Sequence, residues 1–122
     1  MSSDLILQFV IFCGVISVIY GFISSKQILS ASAGDDKMQE IASAIQIGAK
    51  AYLNRQYTTI AIVGVIVLIL ISFLFSIWVG LGYVIGATLS GAAGYVGMLI
   101  SVQANVRTAE ASRTSLDDGL RI

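Results

Sequence analysis

Histidine and proline are missing from this 122-residue chain, and cysteine occurs once. Without histidine the commonest general base and metal ligand is gone. Without proline no helix carries a proline kink. The single cysteine, Cys13, has no intrachain disulfide partner and lies in an apolar run, where a thiol behaves as a small hydrophobe. Charge is scarce as well: 11% of residues, against about 25% in a soluble domain. Seven basic and seven acidic residues leave no net charge, which removes the electrostatic basis for binding nucleic acid.

What is present is apolar, and it comes in blocks. Hydrophobic residues make up 57% of the chain. From Gln56 through Val106 there is no charged side chain at all, and Leu5 to Ser25 is a second uncharged run. A bilayer core about 30 Å thick takes roughly 20 helical residues to cross. The long run is too long for one crossing and suits two, with Gly80-Leu81-Gly82 as the expected break. The sequence therefore predicts an all-α integral membrane protein with three transmembrane helices, over about 5–25, 57–79 and 83–106, and helical extensions on the cytoplasmic side. A cleavable signal peptide fits the first run poorly: Met1-Ser2-Ser3-Asp4 has no basic residue, and the apolar stretch exceeds a usual h-region.

The basic residues set the topology. Lys26, Lys37, Lys50 and Arg55 fall between spans one and two, and Arg107, Arg113 and Arg121 follow span three. The positive-inside rule then puts the N-terminus outside, the turn near Gly80 outside, and the C-terminus in the cytoplasm.

Local patterns fill in the elements. Asp35 or Asp36 is placed to cap a helix, with Glu40 in its first turns. Met38, Ile41, Ala42, Ile45, Ala49, Tyr52 and Leu53 then share one face, which predicts an amphipathic helix running into span two. A surface-bound helix would carry more lysine and arginine, so packing on other cytoplasmic elements is favoured. Span two is rich in isoleucine and valine; in water these favour a strand, but in lipid an isolated strand cannot satisfy its backbone. Gly64, Ser72, Ser76 and Gly80 form a stripe on it, and Trp78 reads as an interface anchor. On span three, Gly86, Ser90, Ala93, Gly97, Ser101 and Ala104 recur every three or four residues. Small residues let membrane helices approach closely, so this helix is expected to be buried among others. Past Val106, the spacing of Ala109, Ser112, Leu116 and Leu120 predicts a continued helix.

Chemistry-bearing groups are sparse. Ion relays need ionisable residues within the spans, and the spans have none. The pairs Asp35-Asp36 and Asp117-Asp118 lack a further acidic cluster at ligand spacing, so neither is assigned to a metal. Arg107, where span three leaves the membrane, reads as a positive-inside anchor, with pairing to a carboxylate or phosphate as the other option. No catalytic, cofactor-binding or metal residue is assigned.

Two segments nonetheless have a family look. Asp36-Lys37-Met38-Gln39-Glu40-Ile41, followed by the stretch Ala44-Ile45-Gln46-Ile47-Gly48-Ala49-Lys50-Ala51-Tyr52-Leu53-Asn54-Arg55-Gln56-Tyr57, resembles the start of the second helix of the membrane-integral pyrophosphatases. Ile85-Gly86-Ala87-Thr88-Leu89-Ser90-Gly91-Ala92-Ala93-Gly94-Tyr95-Val96-Gly97-Met98, with Val102-Gln103-Ala104-Asn105-Val106-Arg107-Thr108-Ala109, resembles their third. The sequence departs from that pattern at Gln103, often basic in the family, and at Ile47, often acidic. The resemblance implies an N-terminal, non-catalytic fragment of an ion-translocating inorganic pyrophosphatase, which couples pyrophosphate hydrolysis to H+ or Na+ transport. It also implies a homodimer in a prokaryotic inner membrane, Mg2+ as cofactor of the full-length enzyme with K+ an open second, and pyrophosphate as substrate. Its acidic motifs have no counterpart here, so the isolated chain is expected to hydrolyse nothing. The alternative is a complete, small, non-enzymatic membrane protein acting as an assembly subunit.

Overall fold

The computed structural model describes residues 3–122. It consists of four helices: α1 (Ser3–Ser30), α2 (Asp36–Leu74), α3 (Ile77–Ser112) and α4 (Leu116–Leu120). The first three are long and apolar enough to cross a membrane. The protein is an all-α integral membrane protein, as its blocks of uncharged sequence require.

Caps decide where the helices start. Asp35 has extended backbone and caps α2: the Met38 N–H donates to its Oδ1 at 2.9 Å. Gly34, just before it, has a φ of +81°. That is left-handed backbone, which glycine enters without a Cβ penalty. A Cβ there would also lie 2.6 Å from the Met38 Sδ.

The connection between α2 and α3 differs from the expected one. The helix ends at Leu74, Phe75 is its C-cap, and Ser76 opens α3 by accepting the Val79 N–H. Gly80 lies inside the first turns of α3, and its N–H donates to the Ser76 carbonyl at 3.1 Å. A serine side chain can satisfy an orphan N–H at a helix start; a glycine can only loosen the chain, so the break falls at serine. Gly80 serves a different purpose. It is buried against the Ser72 side chain, and an added Cβ would also lie 3.4 Å from the Leu68 Cδ1.

Below this turn α2 and α3 form an antiparallel hairpin in which tyrosines rest on glycines. The Tyr83 hydroxyl faces Gly64, and Tyr57 lies over Gly91 and Gly94. The stripe expected on span two is thus the surface that α3 approaches. The stripe on α3 has a different fate. Gly86, Ser90, Ala93, Gly97 and Ser101 are exposed, and a Cβ at Gly86 or Gly97 would meet nothing within 4 Å. Within this chain that face is uncovered.

At 39 residues α2 is about 58 Å long at 1.5 Å per residue, well beyond a bilayer core. Its first half packs on the last turns of α3. The buried apolar side chains Ala42, Leu53, Val102 and Val106 all belong to this end. The amphipathic face is only partly covered. Ile41 and Ile45, with Met38 and Val102, border an apolar cavity of about 270 Å³, and Tyr52 stays exposed.

The chain past Val106 also departs from a single continued helix. It turns at Arg113–Ser115, where Ser115 caps α4: its Oγ accepts the Asp118 N–H and donates to Asp118 Oδ2 at 2.8 Å. Ser115 thus caps the first turn of α4 and binds the Asp118 side chain, and that local motif outweighs the weaker periodicity of Leu116 and Leu120. Gly119 lets α4 fold back onto Ser112, whose Cα would be 3.3 Å from an added Cβ.

Candidate functional site

The polar side chains converge at the end of the molecule away from the Phe75–Ser76 turn. There the last turns of α3 meet the connection between α1 and α2. Arg107, Glu110 and Arg113 follow one another at three-residue spacing on α3, so they lie along one slowly turning strip.

Arg107 reaches two backbones. Its Nη1 donates to the Gln103 carbonyl at 2.7 Å, one turn back on α3, and its Nη2 donates to the Leu29 carbonyl of α1 at 3.1 Å. Its Nε is buried and has no hydrogen-bond partner. Beyond its place at the basic end of span three, its guanidinium is thus engaged by carbonyls of two helices. At Gln103 the backbone carbonyl is what is used; the side-chain amide donates to the Leu99 carbonyl at 3.3 Å.

Arg113 donates to Asp35 Oδ2 at 3.3 Å and to Glu110 Oε2 at 3.1 Å. With Arg113 and Asp35 each more than half exposed, water screens the pair, and such contacts are worth only about 0–1 kcal/mol. Asp35 therefore does double duty, as helix cap and as ion-pair partner. The Glu110 carboxylate also lies near Gly34. A second polar contact joins α2 to α3 about eighteen residues nearer the turn. There the Tyr95 hydroxyl donates to Asn54 Oδ1 at 3.0 Å, and the Tyr95 and Tyr57 rings meet edge to face at 5.3 Å.

These contacts hold helices together, and they do not assemble a reaction centre. Asp36 is exposed in the first turn of α2; Asp117 and Asp118 open α4. Among the described residues, no three carboxylates, cysteines or histidines come close enough to hold a metal ion. The residues present do not fit a magnesium pyrophosphate site. Asn105 borders the apolar cavity and stays exposed, on a different face from Arg107. Cys13 is a free thiol, exposed on α1. The link from Arg107 to Leu29 was not readable in the sequence; its only hint was that α1 has no basic residue in its last turn.

Comparison with known proteins gives one consistent result. Residues 15–122 match the family model described as inorganic H+ pyrophosphatase. A K(+)-insensitive pyrophosphate-energized proton pump of Methanosarcina mazei is 47% identical over 111 residues, covering 89% of this chain and 16% of that one. A second K(+)-insensitive proton pump, from Moorella thermoacetica, is 36% identical over 110 residues, 89% of this chain and 16% of its own. A putative K(+)-stimulated pyrophosphate-energized sodium pump of Clostridium tetani is 39% identical over 112 residues, 92% of this chain and 17% of its own. The chain thus spans about a sixth of the length of these relatives. No solved structure gives a significant match.

Proposed function

The chain belongs to the inorganic H+ pyrophosphatase family, and we propose that it is the N-terminal, non-catalytic part of a pump that couples pyrophosphate hydrolysis to movement of H+ or Na+ across a membrane. The match over residues 15–122 carries this reading, and it favours the pump over a small assembly subunit.

The division of labour follows from charge. A path for ions needs ionisable groups at membrane depth, and Gln56 through Val106 has none. This segment therefore contributes scaffold. In this reading Mg2+, pyrophosphate and any K+ bind residues outside it, and the pump works as a homodimer. The uncovered strip of α3 from Gly86 to Ser101 is where the remaining helices of the same pump pack, since five sixths of the relatives' length lies beyond the matched part. The N-terminus and the Phe75–Ser76 turn face outward, and Arg107 to Arg121 face the cytoplasm of a prokaryotic cell.

The test is ion uptake. Inverted membrane vesicles carrying the whole reading frame receive magnesium pyrophosphate, and lumenal acidification and 22Na+ uptake are followed together with phosphate release. Phosphate release accompanied by uptake of one ion is expected. Hydrolysis without uptake of either, or no hydrolysis at all, overturns the reading.

A further inference from the structure

The structure assigns Arg107 as the residue that positions α1, by fixing the C-terminal end of that helix to α3. This inference stands on contacts within the chain and does not depend on the pump assignment.

Among the described residues, α1 forms one hydrogen bond to another helix, from Arg107 Nη2 to the Leu29 carbonyl. It touches α3 and does not touch α2. From Leu5 to Ile23 its side chains are exposed. The hairpin of α2 and α3, by contrast, is held along its length by the tyrosine–glycine contacts and the Tyr95–Asn54 hydrogen bond. Without Arg107, α1 would keep within this chain only its side-chain contacts near Ser24–Ile28 and the Ala31–Asp35 connection.

The chemistry suits arginine. The last carbonyls of a helix have no intrahelical partner and carry partial negative charge. α1 has no basic residue in its last turn, so Arg107 supplies the missing cation from another helix. A guanidinium is a rigid fork that can address two acceptors at once, here the Gln103 and Leu29 carbonyls on separate helices. Nε is buried as well, so the base of the fork is covered by protein while the residue as a whole is half-buried. Arg113 cannot replace it, because it is exposed and engages Asp35, beyond the end of α1.

Distances between spin labels test this in the whole protein reconstituted in nanodiscs, on a Cys13→Ser background. Val10→Cys with Leu89→Cys reports α1 against α3, and Ile66→Cys with Leu89→Cys reports the hairpin. Arg107→Gln should broaden the first distance distribution at least twofold and leave the second unchanged. Arg107→Lys should restore less than half of the lost sharpness, because an ammonium lacks the fork, and Arg113→Gln should leave both pairs sharp. An unchanged first pair in Arg107→Gln overturns the assignment. Equal broadening of both pairs overturns it too, since Arg107 would then support the whole bundle.

Discussion

Gly94 and Gly97 are one turn apart on α3 and have opposite surroundings. A Cβ at Gly94 would lie 2.6 Å from the Tyr57 hydroxyl, whereas one at Gly97 would meet nothing within 4 Å. Gly94→Ala should push Tyr57 off its edge-to-face contact with Tyr95 and destabilise the hairpin by about 1–3 kcal/mol, the usual cost of overpacking. Gly97→Ala should be neutral or gain up to about 1 kcal/mol from helix propensity. Thermal unfolding in detergent, followed by the fluorescence of the single tryptophan, Trp78, checks both: Tm falls for the first and does not fall for the second. Sequence patterning put Gly97 in the small-residue stripe and left Gly94 out of it, because spacing does not tell which glycine faces a tyrosine on another helix. The Asp35 cap was legible, since it is made within four residues. The Arg107–Leu29 hydrogen bond joins positions 78 residues apart, and no local pattern announces it.

The three long helices were legible for a simple reason: exclusion of charge from long blocks is a property of composition along the chain and needs no knowledge of packing. Their ends were less so. Gly80 looked like the break because glycine is read as a helix breaker, yet Ser76 supplies a hydrogen-bond acceptor, and the next N–H groups take it. Of the two small-residue stripes, the longer one on α3 looked the more buried. Only that of α2 is used inside this chain, with Gly64 under Tyr83 and Ser72 against Gly80. The stripe on α3 is uncovered within this chain, and the proposed function gives it to helices elsewhere in the pump. Gly97→Leu should therefore leave the unfolding of the isolated chain unaltered while lowering pyrophosphate-driven ion uptake by the whole protein tenfold or more. Undiminished uptake would mean that this face meets only lipid.

At the scale of the whole molecule, the buried side chains and the apolar bands are in different places. Ala42, Leu53, Val102 and Val106 are covered at the basic end, where burying a Val or Leu side chain from water is worth about 1.5–3 kcal/mol. The apolar stretches of α1, α2 and α3 are left uncovered by the rest of the chain, and Phe73, Phe75 and Trp78 at the hairpin turn are each at least three-quarters exposed. A water-soluble protein would not leave so large an apolar surface open; hydrocarbon and neighbouring helices make it stable, and aromatic side chains at the turn suit a membrane interface. The most direct test is to wash membranes holding the expressed chain with alkaline carbonate and then extract them with mild detergent. The account predicts that the chain stays in the pellet through the wash and is released only by detergent. A folded monomer in the detergent-free supernatant would contradict it.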